Sequence, residues 1–132
     1  MKVQCIVVAN ASIARLFRRD SPTDHLAPLA TMEHPESRLK GSELADDRHD
    51  RRKEHQRFAR EIADRLETGL AAGEFSTVWL FASSPFLGEL KAQLSNAVDK
   101  RVQLALDSDL TSFGLAEIEQ RLRDQPGLSS NS

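Results

Sequence analysis

Two groups of residues in this chain have the types and spacing to do chemistry. The first is small and polar. Asn10 and Ser12 follow the apolar run Val3–Ala9, and Ser83 and Ser84 follow the apolar run Ser76–Ala82. If the two runs are neighbouring strands, their carboxyl ends form the crevice where open α/β sheets take ligands. Ser84 and Pro85 would open a helix there, and its free N–H groups suit a phosphate or carboxylate. The simpler reading makes Ser84 a helix cap with Pro85 in the first turn, and Asn10 a turn residue.

The second group is charged. From Glu33 to Asp47 there are five acids and two bases, Arg38 and Lys40. From Arg48 to Arg60 there are six bases, among them Arg48, Arg51 and Arg52, and two acids, Asp50 and Glu54. Such a switch of sign suits contact with RNA phosphates or with an acidic protein, ordered on binding. It equally suits a solvated helix face with internal ion pairs, from which Arg52, Lys53, Arg57 and Arg60 project.

Other chemistries find less support. A ribonuclease H-type site needs carboxylates converging on two metal ions, but the two apolar runs end in Ala9–Asn10 and Ala82–Ser83–Ser84. The histidines, His25, His34, His49 and His55, lack the four-residue spacing of a zinc helix and read as solvated. Neither a Gly-rich phosphate loop nor Gly-x-Ser-x-Gly is present. The lone Cys5 excludes an internal disulfide and, inside a strand, reads as a buried inert thiol. Trp79 reads as core, and with no Tyr in the chain a stacking platform for bases is not expected. No cofactor is implied. A net charge of −2 argues against binding polyanions by overall charge, leaving only a local patch.

The elements that position these residues follow from periodicity. Val3–Ala9 and Ser76–Ala82 suit central strands covered on both faces. Ala14–Arg19 follows the first closely enough for an antiparallel hairpin. Leu26–Met32 carries Pro28 and belongs at an edge. Residues from about 33 to 52 read as a long polar loop. Phe58, Ile62, Leu66 and Leu70 give one apolar stripe to a helix from Lys53 to Ala72, with Gly69 and Gly73 at its end. Leu87, Leu90 and Leu94 define a second helix, Val102, Leu104 and Leu106 a more exposed strand, and Leu115, Ile118 and Leu122 a last helix. The order β-β-β-α-β-α-β-α predicts one α/β domain over 1–132. Its mixed sheet is ribonuclease H-like, with three antiparallel strands followed by parallel ones alternating with helices.

Several blocks carry a resemblance. Residues Ile6 to Phe17 resemble the opening of the bacterial host attachment protein family. His34-Pro35-Glu36-Ser37-Arg38, Gly41-Ser42-Glu43-Leu44 and Asp46-Asp47-Arg48 are similar to its next blocks. So are Ser83-Ser84-Pro85-Phe86-Leu87-Gly88-Glu89-Leu90 and Asp107-Ser108-Asp109-Leu110-Thr111. That family is similar in fold to the middle domain of archaeal and eukaryotic class-1 peptide release factors. Those factors carry a Gly-Gly-Gln tripeptide, which this chain lacks. The resemblance implies an attachment-associated, non-catalytic binding protein acting through ribosomes or RNA. With no membrane span and too short an apolar start for a secretory signal, the chain is expected in the cytoplasm. An apolar sheet edge or helix face would serve a homo-oligomer.

Overall fold

A computed structural model describes residues 3–20, 25–33 and 48–124, with backbone alone for 48–52. Five strands and four helices follow in the order β1 (Gln4–Ala9), β2 (Ile13–Arg19), β3 (Ala27–Glu33), α1 (Arg48–Ala71), β4 (Thr77–Ala82), α2 (Phe86–Gln93), α3 (Asn96–Asp99), β5 (Val102–Asp107) and α4 (Leu115–Arg123). The sheet order is β3-β2-β1-β4-β5. Strands β1, β2 and β3 are antiparallel neighbours, while β4 joins β1 in parallel and β5 joins β4 in parallel. This is the expected mixed sheet, with the two most apolar strands side by side.

Both central strands are buried on two faces, which explains their unbroken apolar sequence. Cys5, Val7, Ala9, Val78, Leu80 and Ala82 meet Phe58, Ile62 and Leu66 of α1 and Phe86 and Leu90 of α2. Ile6, Val8, Trp79 and Phe81 meet Ile118 and Leu122 of α4 on the opposite face. Burial of Cys5 pushes its thiol up to about 12, so it stays protonated at neutral pH. Edge strand β3 carries Pro28, and the register with β2 shifts between Leu16 and Phe17. Both features blunt that edge.

Helix α1 begins at Arg48, five residues before the expected start, so Arg48, Arg51 and Arg52 lie in a helix and not in a loop. Glu33, the expected start of that loop, closes β3. Arg, Lys, Glu and Gln are good helix formers, so the charged run was no barrier. It lacks apolar positions because it extends past the sheet. Twenty-four helical residues span about 36 Å, whereas a six-residue strand spans about 20 Å. At the other end Gly73, at φ 78°, turns the chain out of the helix. Gly69 lets Phe75 pack close, since a β-carbon there would fall 2.5 Å from the Phe75 ring.

Helix α2 also departs from expectation. It starts at Phe86, with Pro85 preceding it and no side-chain cap; the Ser84–Pro85 peptide is cis. The short α3, unannounced in the sequence, is capped by Ser95, whose hydroxyl accepts the Val98 N–H at 3.3 Å. Among the described residues no helix is long and apolar enough to cross a membrane.

Candidate functional site

The parallel pairing puts the ends of β1, β4 and β5 together. Ala9 pairs with Ala82, and Ala82 with Asp107, so Asn10, Ser83 and Asp107–Asp109 emerge side by side. The register thus brings Asn10 next to Ser83, with Ser12 in the β1–β2 turn and Ser84 one residue further on.

Asn10, Asp107, Asp109, Thr111 and the Ser84 N–H of this crest are matched to one another. Asn10 Oδ1 accepts the N–H groups of Ser12 and Ile13 at 2.8 and 3.0 Å and so closes the β1–β2 hairpin. Asn10 Nδ2 donates to Asp109 Oδ2 at 3.1 Å and to Thr111 Oγ1 at 3.0 Å. Asp109 Oδ1 accepts the Thr111 N–H and hydroxyl at 2.9 and 2.6 Å. Ser84 does not cap a helix. Its N–H donates to Asp107 Oδ1 at 3.0 Å, and the Ser83 carbonyl accepts the Leu87 N–H at 2.9 Å. From β2, Arg15 donates to the carbonyls of Thr111 and Phe113 at 3.1 and 2.6 Å, clasping the β5–α4 loop.

Asp107 and Asp109 are functional-type residues that strand-end reasoning about β1 and β4 passed over. Their position directly after the alternating strand Val102–Leu106 is the signal that finds them. Hydrogen bonds from the Ser84 N–H and hydroxyl hold the Asp107 carboxyl below the usual range. For Asp109, partial desolvation acts to raise the pKa. The bonds from Thr111 and Asn10 outweigh it, and the net shift is downward. Both are therefore carboxylates at neutral pH. Among the described residues no three His, Cys, Asp or Glu side chains gather as a metal cage.

The described part of the second group, in α1, stands at the same end of the molecule. Helix α1 precedes β4 and runs against it, so the turn carrying His55 and Phe58 lies at the carboxyl end of β4 and the turns before it continue past the sheet. Contacts with Phe86, the first residue of α2, fix this placement: the Phe58 ring stacks on it at 5.8 Å and the His55 ring meets it edge-on at 6.4 Å. At about 100° per residue, Arg48, Arg51 and Arg52 share the helix side of His55, Ile62 and Leu66. Lys53, Arg57 and Arg60 occupy the opposite side and are exposed. Arg48, Arg51 and Arg52 continue the same helix towards its amino terminus. Arg38 and Lys40 lie outside the described residues.

His25 is exposed, and its Nδ1 lies 3.0 Å from Glu119 Oε1, while the Leu26 N–H donates to Glu119 Oε2 at 2.8 Å. Arg19, at the end of an apolar–polar strand, is buried without any local signal. Its Nε donates to Gln4 at 2.7 Å and its guanidinium lies over Trp79 at 5.1 Å.

The architecture defines a release-factor-like α/β domain. The archaeal translation termination factor aRF1 is similar in structure, with a TM-score of 0.56 at 13% identity, covering 96% of this chain and 36% of that one. Saccharomyces cerevisiae Dom34, a translation termination-like factor involved in RNA quality control pathways and interacting with Hbs1, gives 0.52 at 14%, covering 96% and 34%. This chain thus spans about a third of either protein, and the likeness is one of fold. No curated protein matches in sequence. The family profile described as "Protein required for attachment to host cells" matches residues 5–55 and 48–122, and the chain belongs to that family.

Proposed function

We propose that this chain is an intracellular, non-catalytic binding protein that docks on RNA, first of all ribosomal RNA, through the amino-terminal turns of α1 and the segment leading into them. The observation that carries this reading is the helical backbone of 48–52, which sets Arg48, Arg51 and Arg52 on one side of a projecting helix. Arginines on a preformed helix lose less conformational freedom on binding than arginines on a loop. Guanidinium groups also match phosphate oxygens in pairs. The fold likeness to two translation factors favours RNA over an acidic protein as the partner.

A small phosphorylated substrate at the Asn10–Ser84 crevice is not favoured by the geometry. The Ser84 N–H already holds Asp107, and two carboxylates give the crest negative charge. Sedimentation of ribosomes from the native host at low and moderate salt tests the RNA reading. The protein should co-sediment at low salt and come off as salt rises. Charge reversal of Arg51 and Arg52 together should weaken retention by more than about threefold. Absence from ribosomal fractions at both salts, or retention indifferent to the reversal, would sink it.

A further inference from the structure

The solvent side of α1 is ordered by charge. Lys53, Arg57, Arg60, Asp64 and Glu67 are all exposed and recur at spacings of four, three, four and three residues, which makes one straight stripe. The bases fill its amino-terminal half and the acids its carboxyl-terminal half. This is the reverse of what the helix dipole favours, and the last turn of α1 has no basic residue. Arg57 meets Glu54 at 3.1 Å, but Lys53, Arg60, Asp64 and Glu67 make no ion pair or hydrogen bond among the described residues. The monomer therefore keeps four of the stripe's five charges unmatched among the described residues, against its own dipole.

Such a stripe is complementary to itself when a second copy lies against it in the opposite direction. A two-fold axis at the level of Ile62 sets Arg60 beside Asp64 and Arg57 beside Glu67 of the second copy, and each pair occurs twice. The two helix dipoles then also oppose one another favourably. We propose that the chain self-associates through this face of α1, as an antiparallel, salt-dependent homodimer. The stripe uses none of Arg48, Arg51 and Arg52, so the dimer and the RNA reading stand or fall separately.

Exposed ion pairs are individually weak, so the association is measured on the full chain by sedimentation equilibrium up to high protein concentration. At low ionic strength the mass should rise towards the dimer with concentration, and at about 0.5 M salt it should return to the monomer. Reversing Arg57 and Arg60 to Glu, or Asp64 and Glu67 to Arg, should each raise the dissociation constant by about tenfold or more. Mixing the two double variants should restore association, as should the fourfold swap that exchanges both blocks. All four positions are exposed, so folding is preserved, and the swap suits the helix dipole better than the native order. A chain that stays monomeric at low salt, or a dimer that ignores both reversals, would overturn the proposal.

Discussion

The crest at the carboxyl ends of β1, β4 and β5 and the solvent stripe of α1 are both rich in polar side chains, yet they treat them in opposite ways. On the crest, the Asn10 side chain alone makes four hydrogen bonds, and Asp109, Thr111, Asp107 and Ser84 are matched within the molecule. On α1, four of the five charges in the stripe make no ion pair or hydrogen bond among the described residues. Polar residues at the place where α/β folds usually bind ligands can thus be committed to holding the fold. Charges on a plain helix face are the ones left available.

Three measurements test that contrast, beginning with the greatest change. Replacing Asn10 with Ala removes the hairpin closure and the link to the β5–α4 loop together. It should cost about 2–3 kcal/mol of stability by denaturant unfolding. A loss no larger than that of an ordinary surface substitution would put Asn10 back among ligand-binding candidates.

Acid gives the next effect. The Asp109 and Glu119 carboxyls are depressed in the folded state, Glu119 chiefly by its bond to His25. Groups of that kind contribute stability above their unfolded pKa, and it is lost as pH falls through the folded one. The unfolding midpoint should therefore hold near neutrality and drop below about pH 4. Asp109→Asn should flatten that drop.

The smallest effect belongs to Ser84→Ala. The crest uses the Ser84 backbone N–H, so the substitution spares the main bond to Asp107. Stability should change by less than about 0.5 kcal/mol, and ribosome retention should be unchanged. A clear loss of retention would make the crevice part of the docking surface.

Much of the fold was legible in the residues, and the reasons are local. The unbroken apolar runs around Val7 and Leu80 announced a central pair, Pro28 an edge, and the four-residue recurrence from Phe58 to Leu70 a helix. What was missed depends on partners distant in the chain or on shape. Ser84 looked like a cap because nothing nearby shows that Asp107, twenty-three residues on, would take its N–H. The start of α1 was misplaced because apolar periodicity reports burial, and a helix that outruns its sheet is not buried there. At the site, the apolar runs predict the pairing of strand ends, whereas the crest carboxylates escape that pattern because they follow β5, whose alternating sequence is that of a more exposed strand.

The position of β1 has a consequence for how the protein is made. Its parallel neighbour is a strand that starts seventy-three residues later, with Gln4 paired to Thr77 and Ala9 to Ala82. Arg15 is likewise clasped to carbonyls ninety-six and ninety-eight residues on. A chain emerging from the ribosome can close the β1–β2–β3 meander early, by local hairpins. The open side of β1, which becomes the middle of the sheet, then stays bare until α1 and β4 have been synthesised. The most apolar strand of the protein is thus the one that waits longest for its partner. A helper that shields exposed strand edges would have its greatest effect on this nascent chain between those two moments.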